Sequence, residues 1–322
     1  MFSISWHDRA IYTSAMRGTN GAIVSRGQTC PPGPRRASLL AAKGSQRSRS
    51  GRYLSAMKQF ISLILLVVAF PSTWSIGLAA EPPQALPGAH AHNDYYHKRP
   101  LFDALERGFT SIEADVFLVE GKLLVGHYAH ELRPERSLER LYIEPLRKHI
   151  EANGGRVFAG DERLILLVDF KTDGPAAYAA LAKSLEKYDG VFFDMRDGKL
   201  KPRAVDVIVT GNRPIAAIAG DKSRRVALDG RLADMDREAP QELLPLISES
   251  WTDHFKWRGK GPMPAAERER LREIAEQVHK KNCLLRFWAT PDNAAAWAEL
   301  QAAGVDFIGA DDLDALRTFL AQ

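Results

Sequence analysis

Short apolar runs alternate with helix-like segments throughout residues 86–320, and this alternation limits the fold more than any other feature of the chain. The runs lie at residues 88–92, 111–116, 164–169, 205–210, 225–228, 244–249, 284–288 and 306–309. Eight strand–helix units in about 235 residues are typical of a TIM (β/α)8 barrel. We therefore predict an α/β fold with one such barrel over residues 81–322.

An open, doubly wound parallel sheet is the alternative architecture. Nucleotide-binding sheets of that kind carry a glycine-rich phosphate loop after the first strand. The segment after residues 88–92 reads NDYYHKRP and contains no such loop. The barrel is therefore favoured.

Polar or charged residues close several of the predicted strands. These residues are His92, Asp115, Asp169, Thr210 and Glu249. Because TIM-barrel active sites are built at the C-terminal ends of the strands, we expect the functional site there. The acidic pair Asp311-Asp312 after the last strand is interpreted as a helix N-cap rather than as metal ligands.

Two carboxylates, Glu113 and Asp115, stand one residue apart in the run SIEADV. Side chains alternate along a strand, so both point to one face, about 7 Å apart. They repel each other unless a proton or a cation lies between them. Oxygen ligands suit a hard divalent cation such as Mg²⁺ or Ca²⁺, so the pair predicts a metal site.

The position of His127 depends on a turn. The strand after Asp115 turns at Val119-Glu120-Gly121 and returns to His127. We expect a three-residue loop, a type I turn with a bulge, which places His127 opposite Glu113 and on the face of both carboxylates. A two-residue turn would place His127 beside Ala114 on the other face.

The positive net charge of the chain comes from its first 80 residues. They hold ten of the 44 Lys and Arg but only one of the 40 acids, Asp8, and the remainder is mildly acidic. A nucleic-acid partner is therefore not expected. Of the two cysteines, Cys30 and Cys283, only Cys283 lies in the predicted barrel, so no disulfide framework is possible there.

The N-terminal region has the layout of an extension followed by a secretory signal. Residues 1–56 are rich in Arg, Ser, Gly and Pro and predict a disordered or mis-called extension. Residues 57–80 begin with Met57-Lys58, continue through an apolar core and end in small residues, as a signal peptide does. We expect a secreted or periplasmic protein. A membrane anchor and an organellar transit peptide are the alternatives.

The motifs together resemble the PLC-like phosphodiesterase superfamily, which includes phosphoinositide phospholipase C, glycerophosphodiester phosphodiesterase and sphingomyelinase D. The motifs are HxHNDY at residues 90–95, SIEADV at 111–116, GH at 126–127 and DFKT at 169–172. In these motifs the chain is similar to the bacterial and fungal branch named after the altered inheritance of mitochondria protein six. The resemblance implies a TIM barrel of the PLC-like type over roughly residues 86–320.

The resemblance also implies roles for individual residues. His92, followed by asparagine as in the phospholipase HN motif, would be the first catalytic histidine and His127 the second. Lys171 would hold a phosphate oxygen. His90 shares a face with His92 and is the alternative to it.

The metal ligands implied by the resemblance are oxygen donors. Glu113 and Asp115 would bind the cation, Asp169 would be a further acidic ligand, and Asn93 would assist. The implied reaction is hydrolysis of a glycerophosphodiester- or phospholipid-like substrate by His/His acid–base catalysis with Mg²⁺ or Ca²⁺. We expect a small-molecule or lipid phosphodiester as partner and transient contact with a membrane surface, and no partner protein is implied.

Two rival functions fit part of the pattern. A zinc amidohydrolase-like barrel would use His90 and His92 at the end of the first strand, but it also needs histidines on the middle strands, and residues 205–210 and 225–228 contain none. A catalytically inactive periplasmic binding protein could share the fold. The occupied acid, base and ligand positions argue against that reading.

Overall fold

The computed structural model describes residues 81–196, 199–237 and 242–322. The predicted extension at residues 1–56 and the predicted signal peptide at residues 57–80 lie outside the described residues.

Eight parallel strands form the barrel, and an antiparallel strand extends one of them into a hairpin. Along the wall the order is β10-β9-β8-β7-β4-β2-β1-β11, with β3 paired to β2 and a separate hairpin formed by β5 and β6. The strands are β1 (Leu86–Ala91), β2 (Phe109–Val119), β3 (Lys122–Val125), β4 (Leu164–Phe170), β5 (Asp194–Arg196), β6 (Lys199–Lys201), β7 (Val205–Gly211), β8 (Ala227–Gly230), β9 (Leu246–Ser250), β10 (Leu284–Trp288) and β11 (Ile308–Ala310).

The wall closes between β10 and the start of the last strand. Arg286 pairs in parallel with Phe307, and the backbone N–H groups of Asp306 and Phe307 donate to the carbonyl of Leu285 at 3.0 and 3.1 Å. The prediction of a (β/α)8 barrel is confirmed, and all eight predicted runs are wall strands.

Helices cover the outside of the wall. They are α1 (Phe102–Leu105), α2 (Glu144–Ala152), α3 (Gly174–Leu185), α4 (Ile215–Gly220), α5 (Trp251–His254), α6 (Ala265–Lys280), α7 (Ala294–Ala303) and α8 (Leu313–Leu320). A π-helical segment, Glu139–Ile143, leads into α2. Between β8 and β9 the described residues form only a 3-10 turn, Leu232–Asp234, in place of a full helix. None of the helices within the described ranges combines the length and apolar character that a bilayer span requires.

The interior of the barrel is apolar at one level and polar at the next. The apolar floor consists of Ile165, Leu167, Phe193, Ile208, Ala227, Leu246 and Phe307. Because inward-facing positions repeat every second residue, the next inward side chains toward the mouth are polar. They are Asp169, Thr210, Asp229, Ser248 and Arg286. The floor thus ends where the strand-end residues begin.

The β2–β3 hairpin differs from the expected one. Val119 pairs with Lys122, so the turn has two residues, Glu120 and Gly121, both with positive φ, as tight hairpins prefer. The prediction of a three-residue loop with His127 opposite Glu113 was wrong. Because β3 ends at Val125, His127 lies beyond the ladder and is not held to the face that the two-residue register dictates.

The loop between β1 and α1 is fixed by the fully buried Asp94. Its Oδ2 accepts hydrogen bonds from the Leu101 N–H at 2.6 Å and the Tyr142 hydroxyl at 2.9 Å. His97 lies 3.4 Å from Oδ1, and the hydrogen bond to this carboxylate raises the pKa of His97 to about 9. The loop that carries His92 and Asn93 is thereby attached to the helical layer.

Replacement of His97 by Asn should lower stability in a pH-dependent way. The pKa of His97 is raised in the folded state, so its contribution is complete below about pH 6.5, the pKa of an unfolded histidine, and is lost as pH rises through about 9. We expect the variant to be less stable by about 2 kcal/mol at pH 6 and equal to the unmodified protein at pH 10. Urea unfolding at pH 6, 8 and 10 measures this.

The control for this experiment is His130→Asn. His130 is exposed, and no carboxylate lies within salt-bridge distance of it among the described residues. A stability loss in His97→Asn that is constant from pH 6 to pH 10 would contradict the assignment.

Candidate active site

Three carboxylates meet at the mouth of the barrel. Glu113 and Asp115 come from β2 and Asp169 from β4, and one oxygen of each lies within 4.8 Å of the others. Asp115 and Asp169 are direct neighbours across the two strands. Within the described ranges this is the one such cluster of His, Cys, Asp or Glu, and it consists of the three acids expected from the sequence.

Two fully buried oxygens of this cluster have no hydrogen-bond donor among the described residues. Asp115 Oδ2 is shared by the Tyr95 hydroxyl at 2.8 Å, His127 Nδ1 at 2.8 Å and Lys171 Nζ at 3.0 Å. Asp115 Oδ1 and Asp169 Oδ1 are buried without a partner. A buried carboxylate oxygen without a donor is costly, and a bound cation would remove that cost.

The electrostatics of Asp169 also fit an additional cation. Burial, only partly offset by Lys171 at 2.9 Å, and the nearby charge of Asp115 raise the pKa of Asp169. The positive charge near this carboxylate is therefore too small to offset the cost of burying its ionised form. An all-oxygen donor set at such a point suits Mg²⁺ or Ca²⁺.

Glu113 is held by His90 on the neighbouring strand β1 and by Arg286 on β10. Its Oε2 accepts from His90 Nε2 at 3.0 Å and from Arg286 Nη2 at 2.6 Å. Burial favours the neutral acid, but the charge of Arg286 and the hydrogen bond from His90 overcome it and hold the pKa of Glu113 far below its usual range. Glu113 is therefore ionised at neutral pH.

His90 lies beneath the site rather than in it. The ring is fully buried, and its Nδ1 lies 2.8 Å from Ser111 Oγ. Burial and the charge of Arg286 lower the pKa of His90 to about 4, so the ring is neutral. Nε2–H then donates to Glu113, and Nδ1 accepts from the Ser111 hydroxyl. With both nitrogens engaged, His90 orients Glu113, which favours His92 as the histidine that meets substrate.

His127 reaches the carboxylates from beyond the end of β3. Its backbone N–H donates to Glu131 Oε2 at 2.8 Å, and its Nδ1 lies 2.8 Å from Asp115 Oδ2. The contact is with Asp115, not with the expected neighbour Glu113. About one third of the side chain is exposed, so Nε2 is left for a ligand.

His92 is held by an acid that follows the neighbouring strand β11. Its backbone N–H donates to the carbonyl of Ala310 at 3.3 Å, and its Nδ1 lies 2.8 Å from Asp311 Oδ1. Burial opposes protonation, but the hydrogen bond and charge of Asp311 prevail and raise the pKa of His92. A cavity of about 100 Å³ opens beside the ring and is also lined by Arg286 and Asp311.

The other two predicted site residues lie next to the acid cluster. Lys171 Nζ bridges Asp115 and Asp169. Asn93, in the left-handed conformation that asparagine tolerates, accepts the Tyr95 hydroxyl on Oδ1 at 2.7 Å. The same hydroxyl contacts Asp115, so Asn93 is linked to the cluster through Tyr95.

Three residues of the site were missed in the sequence. Tyr95 is part of the HNDY motif. Asp311 follows the last predicted strand, where the sequence pattern Asp311-Asp312 predicts a helix N-cap. Asp312 does cap α8, whereas Asp311 binds His92. Arg286 is a cation inside the apolar run LLRFW, and this unusual placement was the available signal.

The zinc rival finds little support in this geometry. His90 and His92 contact different partners, Glu113 and Asp311. The strand ends on the far side carry Thr210 and Asp229, joined by a 2.7 Å hydrogen bond, where such a site needs histidines. The acid cluster offers oxygen ligands alone.

Comparisons with known proteins agree on one family. The model of the AIM6-like phosphodiesterase domain matches residues 84–229. The altered inheritance of mitochondria protein 6 of Eremothecium gossypii is 32% identical over 266 residues, which cover 71% of this chain and 68% of that protein. The homolog from Arthroderma benhamiae is 28% identical over 260 residues, which cover 71% of this chain and 82% of that protein. Residues 84–229, which the family model matches, contain every site residue predicted from the sequence, whereas Arg286 and Asp311 lie beyond that range.

Two solved structures show a weaker likeness. A glycerophosphodiester phosphodiesterase from Parabacteroides distasonis has a TM-score of 0.44 at 15% identity, covering 74% of this chain and 100% of that chain. An Oleispira antarctica phosphodiesterase in complex with sn-glycerol-3-phosphate has a TM-score of 0.42 at 12% identity, covering 73% and 97%.

Asp169→Asn should weaken binding of Mg²⁺ or Ca²⁺, because it removes one of the two unpartnered oxygens as an anion. We expect a loss of at least about tenfold in affinity, since even outer-shell partners of metal sites are worth that much. Isothermal titration calorimetry of the full chain measures it. Asp311→Asn is the control, because Asp311 lies outside the cluster, and equal losses in both variants would exclude a metal site at the three acids.

Proposed function

Because the chain belongs to the family of the altered inheritance of mitochondria protein 6, we propose that it is a metal-dependent phosphoric diester hydrolase. The observation that carries the proposal is the pairing of the acid cluster with two histidines whose Nδ1 atoms are each tied to a carboxylate. This geometry supplies both charge stabilisation and proton transfer at one mouth.

The cation would be held by Glu113, Asp115 and Asp169, with Asn93 nearby. When bound, it would polarise a phosphoryl oxygen and stabilise the charge that develops during displacement. The unpartnered oxygens Asp115 Oδ1 and Asp169 Oδ1 support this fit. Mg²⁺ and Ca²⁺ both suit the donor set.

The two histidines would move the protons. Asp115 and Asp311 each engage Nδ1 of their histidine and leave Nε2 for the substrate. One Nε2 would accept the proton of the attacking hydroxyl, and the other would donate a proton to the leaving oxygen. Transfers of this kind typically contribute about 10²–10⁴-fold each.

Two cationic side chains would meet the anionic phosphate. Lys171 lies at the acid cluster, and Arg286 lines the cavity beside His92. Both also neutralise carboxylates of the site. With a cation held at the acid cluster, these side chains and His92 would give the mouth the positive charge that an anionic phosphodiester requires.

The nucleophile is proposed to be a hydroxyl of the substrate next to the phosphate. Its oxygen would attack phosphorus, the bond to the leaving alcohol would break, and a cyclic phosphate would form. Attack by water is the variant. The p-nitrophenyl ester of glycerol phosphate carries such a hydroxyl and bis-p-nitrophenyl phosphate does not, so turnover of the first alone supports the cyclic route.

His92→Ala and His127→Ala should each lower kcat by about 10²–10⁴-fold, and a chelator should abolish turnover. The assay measures p-nitrophenol release from both substrates with Mg²⁺ or Ca²⁺ present. His130→Ala, at an exposed histidine three residues from His127, is the matched control and should retain activity. Full activity in either of the first two variants would refute the proposed acid–base pair.

Asp311→Asn should lower kcat by about 10–100-fold, as expected for a side chain that orients a functional residue, while KM changes little. The amide keeps the size of the carboxylate but removes the charge that stabilises protonated His92. If Asp311 acts through His92, the loss should be absent in a His92→Ala background. Additive losses would show that Asp311 acts elsewhere.

A lipid or small-molecule diester outside the cytoplasm remains the proposed substrate and setting. The predicted signal segment at residues 57–80 supports this setting. Cleavage at Ala80, measured by N-terminal sequencing of the exported protein, tests it.

A further inference from the structure

Exposed large apolar side chains are concentrated on one part of the surface. Among the described residues they are Tyr96, Phe102, Val119, Tyr128 and Trp288, each more than a third exposed. Four of them follow the C-terminal ends of wall strands: Tyr96 after β1, Val119 and Tyr128 on and after the β2–β3 hairpin, and Trp288 at the end of β10. We call these four the rim cluster.

The rim cluster surrounds the candidate active site. The rings of Tyr128 and His127 meet edge to face at 4.5 Å, and Trp288 lines the same cavity as His92. Glu131 accepts the Tyr96 hydroxyl at 2.9 Å and the backbone N–H of Tyr128 at 3.1 Å. The strands β10, β11, β1 and β2 are neighbours in the wall, so the cluster forms one arc of the mouth.

The hairpin stands beyond the end of the barrel wall. β2 pairs with β4 only as far as Val116, whereas its pairing with β3 continues to Val119. Val119 therefore stands three residues beyond the last β2–β4 pair.

The chemistry of the arc fits a lipid–water interface. Tyr and Trp are amphipathic and are enriched at that interface. Exposed cations accompany them on the same loops, namely Lys98, Lys122 and Arg133, which have no carboxylate partner among the described residues. Exposed Glu120, Glu135 and Asp292 on these loops balance this charge, so insertion of apolar side chains is the main contribution.

We propose that the rim cluster docks the mouth on a phospholipid surface, where a phosphodiester of a lipid headgroup enters the site. This inference rests on the proposed function for the identity of the substrate, but the docking itself requires no turnover. The arc places apolar side chains beside the catalytic histidines, so that an inserted rim would leave the headgroup layer level with the acid cluster.

Val119→Asp tests the docking, with Phe102→Asp as the matched control. The exposed fraction of Phe102, 37%, is nearly equal to that of Val119, 36%. It lies instead in a groove with His149 and Tyr188. Tyr188 follows the C-terminal end of α3, on the side away from the mouth, so both variants add the same charge at an exposed apolar position.

Co-sedimentation with phosphatidylcholine vesicles containing a minor fraction of phosphatidylglycerol is measured in EDTA, where no turnover occurs. We expect Val119→Asp to bind about tenfold more weakly than Phe102→Asp. Because the apolar run at residues 60–70 of the full chain can bind vesicles itself, the difference between the two variants is decisive. A blue shift of tryptophan emission that Trp288→Phe removes supports the same conclusion.

Equal vesicle binding by Val119→Asp and Phe102→Asp would overturn the proposal. So would a dimer on size-exclusion chromatography that Val119→Asp dissociates, which would assign the arc to self-association. Val119→Asp should retain turnover of a soluble p-nitrophenyl diester. If the unmodified protein does not turn over the soluble diester, the proposed function is overturned, but the result of vesicle binding still stands.

Discussion

The site depends on compensation of negative charge that the strands carry into the barrel. Glu113 and Asp115 are almost fully buried, and an isolated carboxylate in such a place would take up a proton. Arg286 neutralises the first, and Lys171 lies against the second. Asp169 is the acid left with least compensation, and a divalent cation fits at that point. Charge balance at the three acids therefore supports the proposed metal ion as much as the spacing of the ligands does.

The strands could be predicted from the sequence because each combines an apolar run with a polar end. The same alternation predicted that Glu113 and Asp115 share a face, and the strand-end position of Asp169 predicted its place at the mouth, whereas its role as their partner was implied by the family resemblance. These relations involve adjacent strands and a two-residue period, so they require no knowledge of the closed barrel. The family resemblance added the roles of His92 and His127, which remain predictions.

The contacts that could not be predicted either join residues far apart in the sequence or depend on a turn. Arg286 reaches Glu113 over a separation of 173 residues, and Asp311 reaches His92 over 219. A local sequence pattern cannot predict which residues meet across separations of this length. The hairpin prediction failed because Glu120 adopts positive φ beside Gly121, which permits the shorter turn. His127 still meets an acid because the ladder ends before it.

The late position of β10 and β11 in the sequence affects folding during synthesis. The acids stand on β2 and β4, but Arg286 and Asp311 arrive with β10 and with the residue after β11. During synthesis the first half of the barrel therefore emerges with charges that it cannot balance and a histidine that it cannot orient. A chain that ends before β10 lacks both Arg286 and Asp311, so the proposed site would be complete only after the final strand docks.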